Sequence, residues 1–78
     1  MKKTKPKNSA VYRPKHYTRF RIEPITFIME NNIPFAIGNI IKYVCRYDAK
    51  DGLQDLYKAR RYLDMVIAKT EGKKNWSA

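Results

Sequence analysis

Prolines, an asparagine pair and glycines divide this chain into three stretches, each with apolar residues at helical spacing. The dividing points are Pro24, Asn31-Asn32, Pro34, Gly52 and Gly72. Proline suits the first position of a helix, where its missing N–H costs nothing. Glycine or asparagine just past a helix end accepts left-handed geometry. Beyond the N-terminal arm no stretch alternates with period two, as a half-buried strand would. The chain therefore reads as all-α: a small three-helix domain with an extended basic N-terminal arm.

The first helix is expected to start at Glu23-Pro24, where the acid complements the helix dipole, and to stop near Asn31-Asn32. Ile25, Ile28 and Met29 share its apolar face, with Phe27 beside them. Pro34 opens the second helix, whose stripe of Phe35, Ile37, Ile40, Ile41, Val44 and Cys45 runs to about Arg46. Gly38 inside it costs about 1 kcal/mol against alanine. A glycine there implies close approach, either of another backbone or of a ligand. Asp48 to Gly52 reads as a turn, with Asp51 expected to cap the third helix and Gln54 to complete a capping-box-like pattern. The third helix spans about Gly52 to Thr70. Its expected buried stripe is Leu53, Leu56, Ala59 or Arg60, Leu63, and Val66 or Ile67. Lys69 suits its dipole and Gly72 stops it.

The organisation follows: a disordered basic tail over 1–10, a single helical domain with its arm over 11–72, and a C-terminal tail over 73–78. The first ten residues are basic, polar and interrupted by proline, and cannot bury enough to offset ordering. In the arm, Val11, Tyr12, Tyr17 and Phe20 interleave with Arg13, Lys15, Arg19 and Arg21. Pro14 biases Arg13 to an extended conformation. The arm is read as laying its aromatics on the helical body. Trp76, in the C-terminal tail, is either mobile or docked on a partner surface.

The 78 residues hold one small domain, and chains this short bury only about 60% of their unfolded surface. Self-association through an apolar helix face, as a homo-oligomer, is the expected supplement. One cysteine, Cys45, excludes an intramolecular disulfide, and with one histidine it makes a structural zinc site a poor fit. No apolar run approaches the roughly 20 residues of a membrane span. No apolar stretch follows the basic N-terminus as in a signal peptide. The expectation is a soluble, cytoplasmic protein without membrane contact.

The formal net charge of +10 is unevenly placed. Residues 1–21 carry eight bases and no acid, residues 22–72 carry seven of each, and Lys73 and Lys74 complete the excess. The body is thus neutral and the charge lies at the ends. A dedicated nucleic-acid binder usually gathers its bases on one face of the fold.

The chain has no GxxxxGK[ST] loop, no GxGxxG and no HExxH. Asp48, Asp51 and Asp55 near the turn are too few for a di-metal helical pyrophosphatase. A phosphate-and-base constellation remains. Lys42, Arg46 and Lys58 suit phosphates, and Tyr43, Tyr47 or Tyr62 suit stacking on a base. Asn39 can read a base edge. Asp55 either holds a Mg²⁺ bridged to phosphate or pairs with Lys58 or Arg46. In the arm, His16 and Tyr17 can hold a phosphate and stack a base, or cap the core. The same residues also describe salt-bridged helix surfaces with buried tyrosines.

A resemblance adds to this reading. His16-Tyr17, the helix start at Glu23, then Gly38, Asn39, Lys42, Tyr43 and Arg46 stand at the spacing of a known pattern. They are followed by a turn with Lys50, then Asp55, Leu56, Lys58, Ala59, Tyr62 and Leu63. Over about residues 11 to 68 the chain resembles the SaV-like family of small tailed-phage domains, long classed as of unknown function, which includes a podovirus nucleotide kinase. The resemblance implies that some members phosphorylate deoxynucleoside monophosphates without a Walker loop, as oligomers, while others have no assigned activity. It also implies the cytoplasm of an infected bacterial host.

The leading expectation is a phage-encoded nucleotide-binding protein, extending to phosphate transfer between nucleotides, with Mg²⁺ accompanying the nucleotide. Lys42, Arg46 and Lys58 would hold phosphates, Asn39 the base, and His16 or Tyr17 would close the site. One alternative is a nucleic-acid-binding accessory protein acting through its basic termini. Another is a non-catalytic nucleotide sponge or inhibitor of a host enzyme.

Overall fold

A computed structural model describes residues 19–78. Three helices follow in order: α1 (Pro24–Glu30), α2 (Phe35–Arg46) and α3 (Leu53–Thr70), with a 3₁₀ turn at Tyr47–Ala49 joining the last two. Among the described residues there is no strand. The fold is therefore all-α, as the spacing predicts. The expected tail over 1–10 and the arm as far as residue 18 lie outside the described residues.

The helix ends follow their punctuation. Pro24 occupies the first turn of α1, behind an extended Glu23. Beyond α1, Asn32 takes a φ of 52°. There the Ile33 N–H donates to the Ile28 carbonyl and the Asn32 N–H to that of Met29, at 3.0 and 3.2 Å. These two reversed bonds satisfy carbonyls that the helix end leaves open. Gly72, at φ 83°, closes α3 in the same way through Lys73 to Ala68 and Gly72 to Lys69. Pro34 stands just before α2, in extended conformation.

α2 and α3 form an antiparallel hairpin, and α1 packs on α2. Gly38 is where α1 comes close: a Cβ there would meet Ile28 Cγ2 at 3.0 Å. The close approach is thus that of the α1 side chain. From the chain N-terminal to α1, Arg19 forks onto Asp48 at 2.7 and 3.1 Å. Phe20 lines a cavity with Phe27, Ile41 and Cys45, so this end of the arm does lie on the helical body.

Two expectations about α3 change. Asp51 does not cap it: the N-cap is Gly52, at φ 58°, and no side chain caps it. The Gly52 N–H instead donates to the Tyr47 carbonyl at 2.7 Å, closing the turn through the backbone. The buried stripe is also only partly as expected. Ala59 is buried at 5% exposure and Leu56 and Val66 are half-buried, but Leu53 is 60% exposed, Leu63 and Ile67 are also exposed, and Asp55, at 0%, lies inside instead. A polar residue with a partner across the hairpin takes an interior place that hydrophobic periodicity assigns to leucine.

Candidate functional site

The facing sides of α2 and α3 gather most of the polar residues picked from the sequence. Their arrangement starts with Arg46 in the last turn of α2, a position that suits a cation. Arg46 Nε donates to Asp55 Oδ2 at 3.2 Å and Nη2 to Oδ1 at 3.3 Å. The Asp51 backbone N–H adds a third bond to Oδ2, at 3.2 Å. Burial opposes ionisation of Asp55. The hydrogen bonds from Arg46 and from the Asp51 amide outweigh it, helped by the charges of Arg46 and Lys58, so the carboxyl sits below its ordinary value. Among the described residues no buried side-chain polar atom lacks a partner.

Tyr43, one turn before Arg46, is the centre of the cations. Lys42 Nζ lies 4.8 Å from its ring centroid, Arg46 Cζ 4.8 Å and Lys58 Nζ 5.4 Å. Each such contact at a partly exposed site contributes about 0.5–1 kcal/mol. Tyr62 of α3 stacks on Tyr43, with centroids 6.0 Å apart and planes at 19°. Phe35 meets Tyr62 edge-on at 6.1 Å.

The lysines differ in how far they are neutralised. Lys58 reaches Asp51 at 3.7 Å and Asp55 at 3.9 Å, and Lys50 reaches Asp51 at 3.8 Å. All three are long contacts; the two to Asp51 lie on an open surface, where such pairs contribute little, while the third reaches the edge of the buried Asp55. Lys42 has no carboxylate within salt-bridge distance among the described residues. With Arg19 on Asp48 at the same turn, five cations face three carboxylates around the hairpin's turn end among the described residues. An anion arriving there would relieve repulsion between like charges.

Of the ten residues singled out from the sequence, Lys42, Tyr43, Arg46, Asp55, Lys58 and Tyr62 are brought together around one ring. Lys50 joins them through Asp51. Asn39 lies one turn before Tyr43 on the same face of α2. His16 and Tyr17 lie outside the described residues. Arg46 and Asp55 pair with each other in the interior, so the donors left toward solvent are the exposed Lys50 and Lys58 and the half-buried Lys42. The available carboxylate is Asp51. Among the described residues no three of His, Cys, Asp and Glu are grouped as a metal would need.

Sequence reasoning did not anticipate the docked C-terminal turn. Arg61 Nη2 donates to the main-chain oxygens of Ser77 and Ala78 at 3.1 and 2.8 Å. Lys69 Nζ lies 4.9 Å from the Trp76 ring centroid, so Trp76 rests against α3. A tryptophan in an otherwise polar, basic tail was the available signal.

A family model described as a protein of unknown function (DUF3310) matches residues 11–64. That span takes in α1, α2 and every candidate residue from His16 to Tyr62. No curated protein and no solved structure matches the chain.

Proposed function

This chain belongs to the DUF3310 family of proteins of unknown function, and from that premise we propose that the domain binds a nucleotide by its phosphates at the turn end of the α2–α3 hairpin. One observation carries the reading. Lys42 and Lys58 flank the same Tyr43 ring, and Lys42 has no carboxylate partner among the described residues. Lys42 and Lys58 take the phosphates, with Lys50 at the margin. Asn39 offers its amide to the sugar or base. The Arg46–Asp55 pair holds the two helices in register beneath them.

The resemblance to a phage family that includes a nucleotide kinase supports phosphoryl transfer as the reaction class, in an infected bacterial host. Such transfer asks a protein mainly for positioning and charge neutralisation. Lys42 and Lys58 provide the second. Exposed Ile22, Ile25 and Met29 on and beside α1 support self-association.

Thermal shift with nucleoside mono- and triphosphates, with and without Mg²⁺, is the first test. Stabilisation that is clearly reduced in Lys42→Ala at the same nucleotide concentration supports the site. Stabilisation unchanged by that substitution removes it. A phosphoryl-transfer assay then separates catalysis from sequestration.

The placement of excess charge at the chain ends favours one other reading, binding of nucleic acid through the termini. That binding would fall steeply with salt and be lost on deleting residues 1–10. A nucleotide site in the body is indifferent to the deletion.

A further inference from the structure

At the end of the hairpin away from the cations, an apolar groove of about 440 Å³ opens between the first turn of α2 and the last turns of α3. Phe35 and Trp76 stand among its walls, with Tyr62, Met65 and Val66 along it and Lys69 the only charge. The volume falls within the range of small-molecule sites, about 300–1,000 Å³, which are mostly apolar with few polar groups. Phe35 is 78% exposed and Trp76 37%. Two aromatic rings are thus held open to solvent, and Trp76 is fixed from below by Lys69 and by the Arg61 anchors of the C-terminal turn.

The groove and the cation cluster share one wall. Tyr62 lines the groove, meets Phe35 edge-on and stacks on Tyr43. Along α2, Phe35, Asn39 and Tyr43 recur every fourth residue and so share a face. Two such intervals span about 12 Å at 1.5 Å per residue. An elongated ligand lying along this face meets an aromatic groove, then an amide, then lysines.

We propose that the groove bounded by Phe35 and Trp76 receives the base of the nucleotide whose phosphates lie at Lys42 and Lys58, leaving Asn39 for the sugar. This rests on the phosphate site proposed above and extends it to the ligand's other end. The occupant is a planar heteroaromatic ring held by stacking. A stacking site is tolerant of base identity, because every base has a π-face. The groove's surface is almost wholly apolar, although Tyr62, Lys69, Trp76 and Ser77 stand along it, and this points the same way. Purines, with the larger rings, should bind more tightly than pyrimidines, and no single base should be strongly preferred.

Trp76 is the chain's sole tryptophan, so its emission reports on the groove alone. The full chain is titrated with adenosine 5′-monophosphate, adenosine and ribose 5-phosphate, following emission and thermal shift together. The expected result is that the first two change Trp76 emission, while ribose 5-phosphate raises the melting temperature without changing it. Phe35→Ala, at an exposed position, should weaken the monophosphate about tenfold or more and leave ribose 5-phosphate binding unchanged. The groove assignment is overturned if the monophosphate stabilises the protein yet leaves emission and the Phe35→Ala affinity unaltered. An adenosine response without ribose 5-phosphate binding removes the phosphate site and leaves the groove standing. Silence from all three probes removes both. Emission that instead follows protein concentration, with no adenosine response, assigns the groove to a second copy of the chain and overturns the proposal.

Discussion

Arg46 and Asp55, nine positions apart, form a forked ion pair in the interior of the α2–α3 hairpin. The aspartate is completely buried and the arginine 9% exposed. A charge pair so placed is weak evidence for added stability, because desolvation offsets its attraction. Breaking it is another matter, since the remaining charge keeps the desolvation cost without its partner.

Asp55→Ala should therefore destabilise the domain by about 3–5 kcal/mol, as seen when one member of a buried pair is removed. That is a large share of the stability of so short a chain, taken at about 0.05–0.15 kcal/mol per residue. Urea unfolding followed by circular dichroism measures it. The double replacement Arg46→Met with Asp55→Leu should recover most of the loss. If the single and double variants are equally unstable, the pair is not what holds the hairpin.

The same pair sets an acid limb. The folded-state value of Asp55 is depressed, so its contribution is complete above the ordinary carboxylate value of about 4 and is lost as pH falls through the lower folded value. Asp48 is lowered as well, first by the hydrogen bond from Arg19, but this pair is open to solvent and screened. Stability should be flat from pH 8 to about pH 5 and fall in more acidic solution. In Asp48→Asn the fall should persist almost unchanged. In Asp55→Asn it should flatten.

Replacing Lys42 or Lys58 by alanine should lower nucleotide affinity by about tenfold each, the equivalent of about 1.4 kcal/mol, with melting temperatures near the parent's. Isothermal titration at low salt resolves this. Arg46→Ala is the wrong probe of binding, since it removes the partner of a buried carboxylate and costs the fold first. A lysine variant that unfolds, or one that binds like the parent, argues against the division of labour between lysines and buried pair.

Gly38→Ala carries opposing terms. Alanine gains about 1 kcal/mol of helix propensity over glycine. Its Cβ would sit 3.0 Å from Ile28 Cγ2, on a β-branched side chain with little freedom to turn away. Stability should fall in the parent background and rise in Ile28→Ala. A double-mutant cycle tests the coupling, and additive effects would show that the contact does not limit the packing of α1 on α2.

Much of the fold could be read in advance because its boundaries are local chemistry. Pro24, Asn32 and Gly72 act through their own φ angles and donors, and a linear pattern shows such effects directly. The phase of α3 is different. Asp55 and Tyr62 face the hairpin only because Arg46 and Tyr43 meet them from another helix, and periodicity within one helix cannot register that. Asp51 fails as a cap for a related reason: Gly52 takes a positive φ and the carboxylate of Asp55 accepts the Asp51 N–H. The polar residues of the candidate site share a face because i, i+3 and i, i+4 spacing survives folding. Which of them stay exposed depended on the partner helix. The groove at Trp76 arises from a tail folding back, which no spacing rule addresses.

Among the described residues the fully buried apolar ones, Pro24, Gly38 and Ala59, are all small, and larger ones such as Ile37, Ile40, Ile41 and Leu56 are half-buried. Unfolding this domain alone would uncover less hydrocarbon than unfolding one with a fully buried core, so its heat-capacity increment should be low for its length. Stability would then bend only gently with temperature, and the melting transition would be broad. A ligand or second copy that covered the exposed rings would steepen both, so calorimetry of the free and occupied protein would register occupancy as a change in curvature.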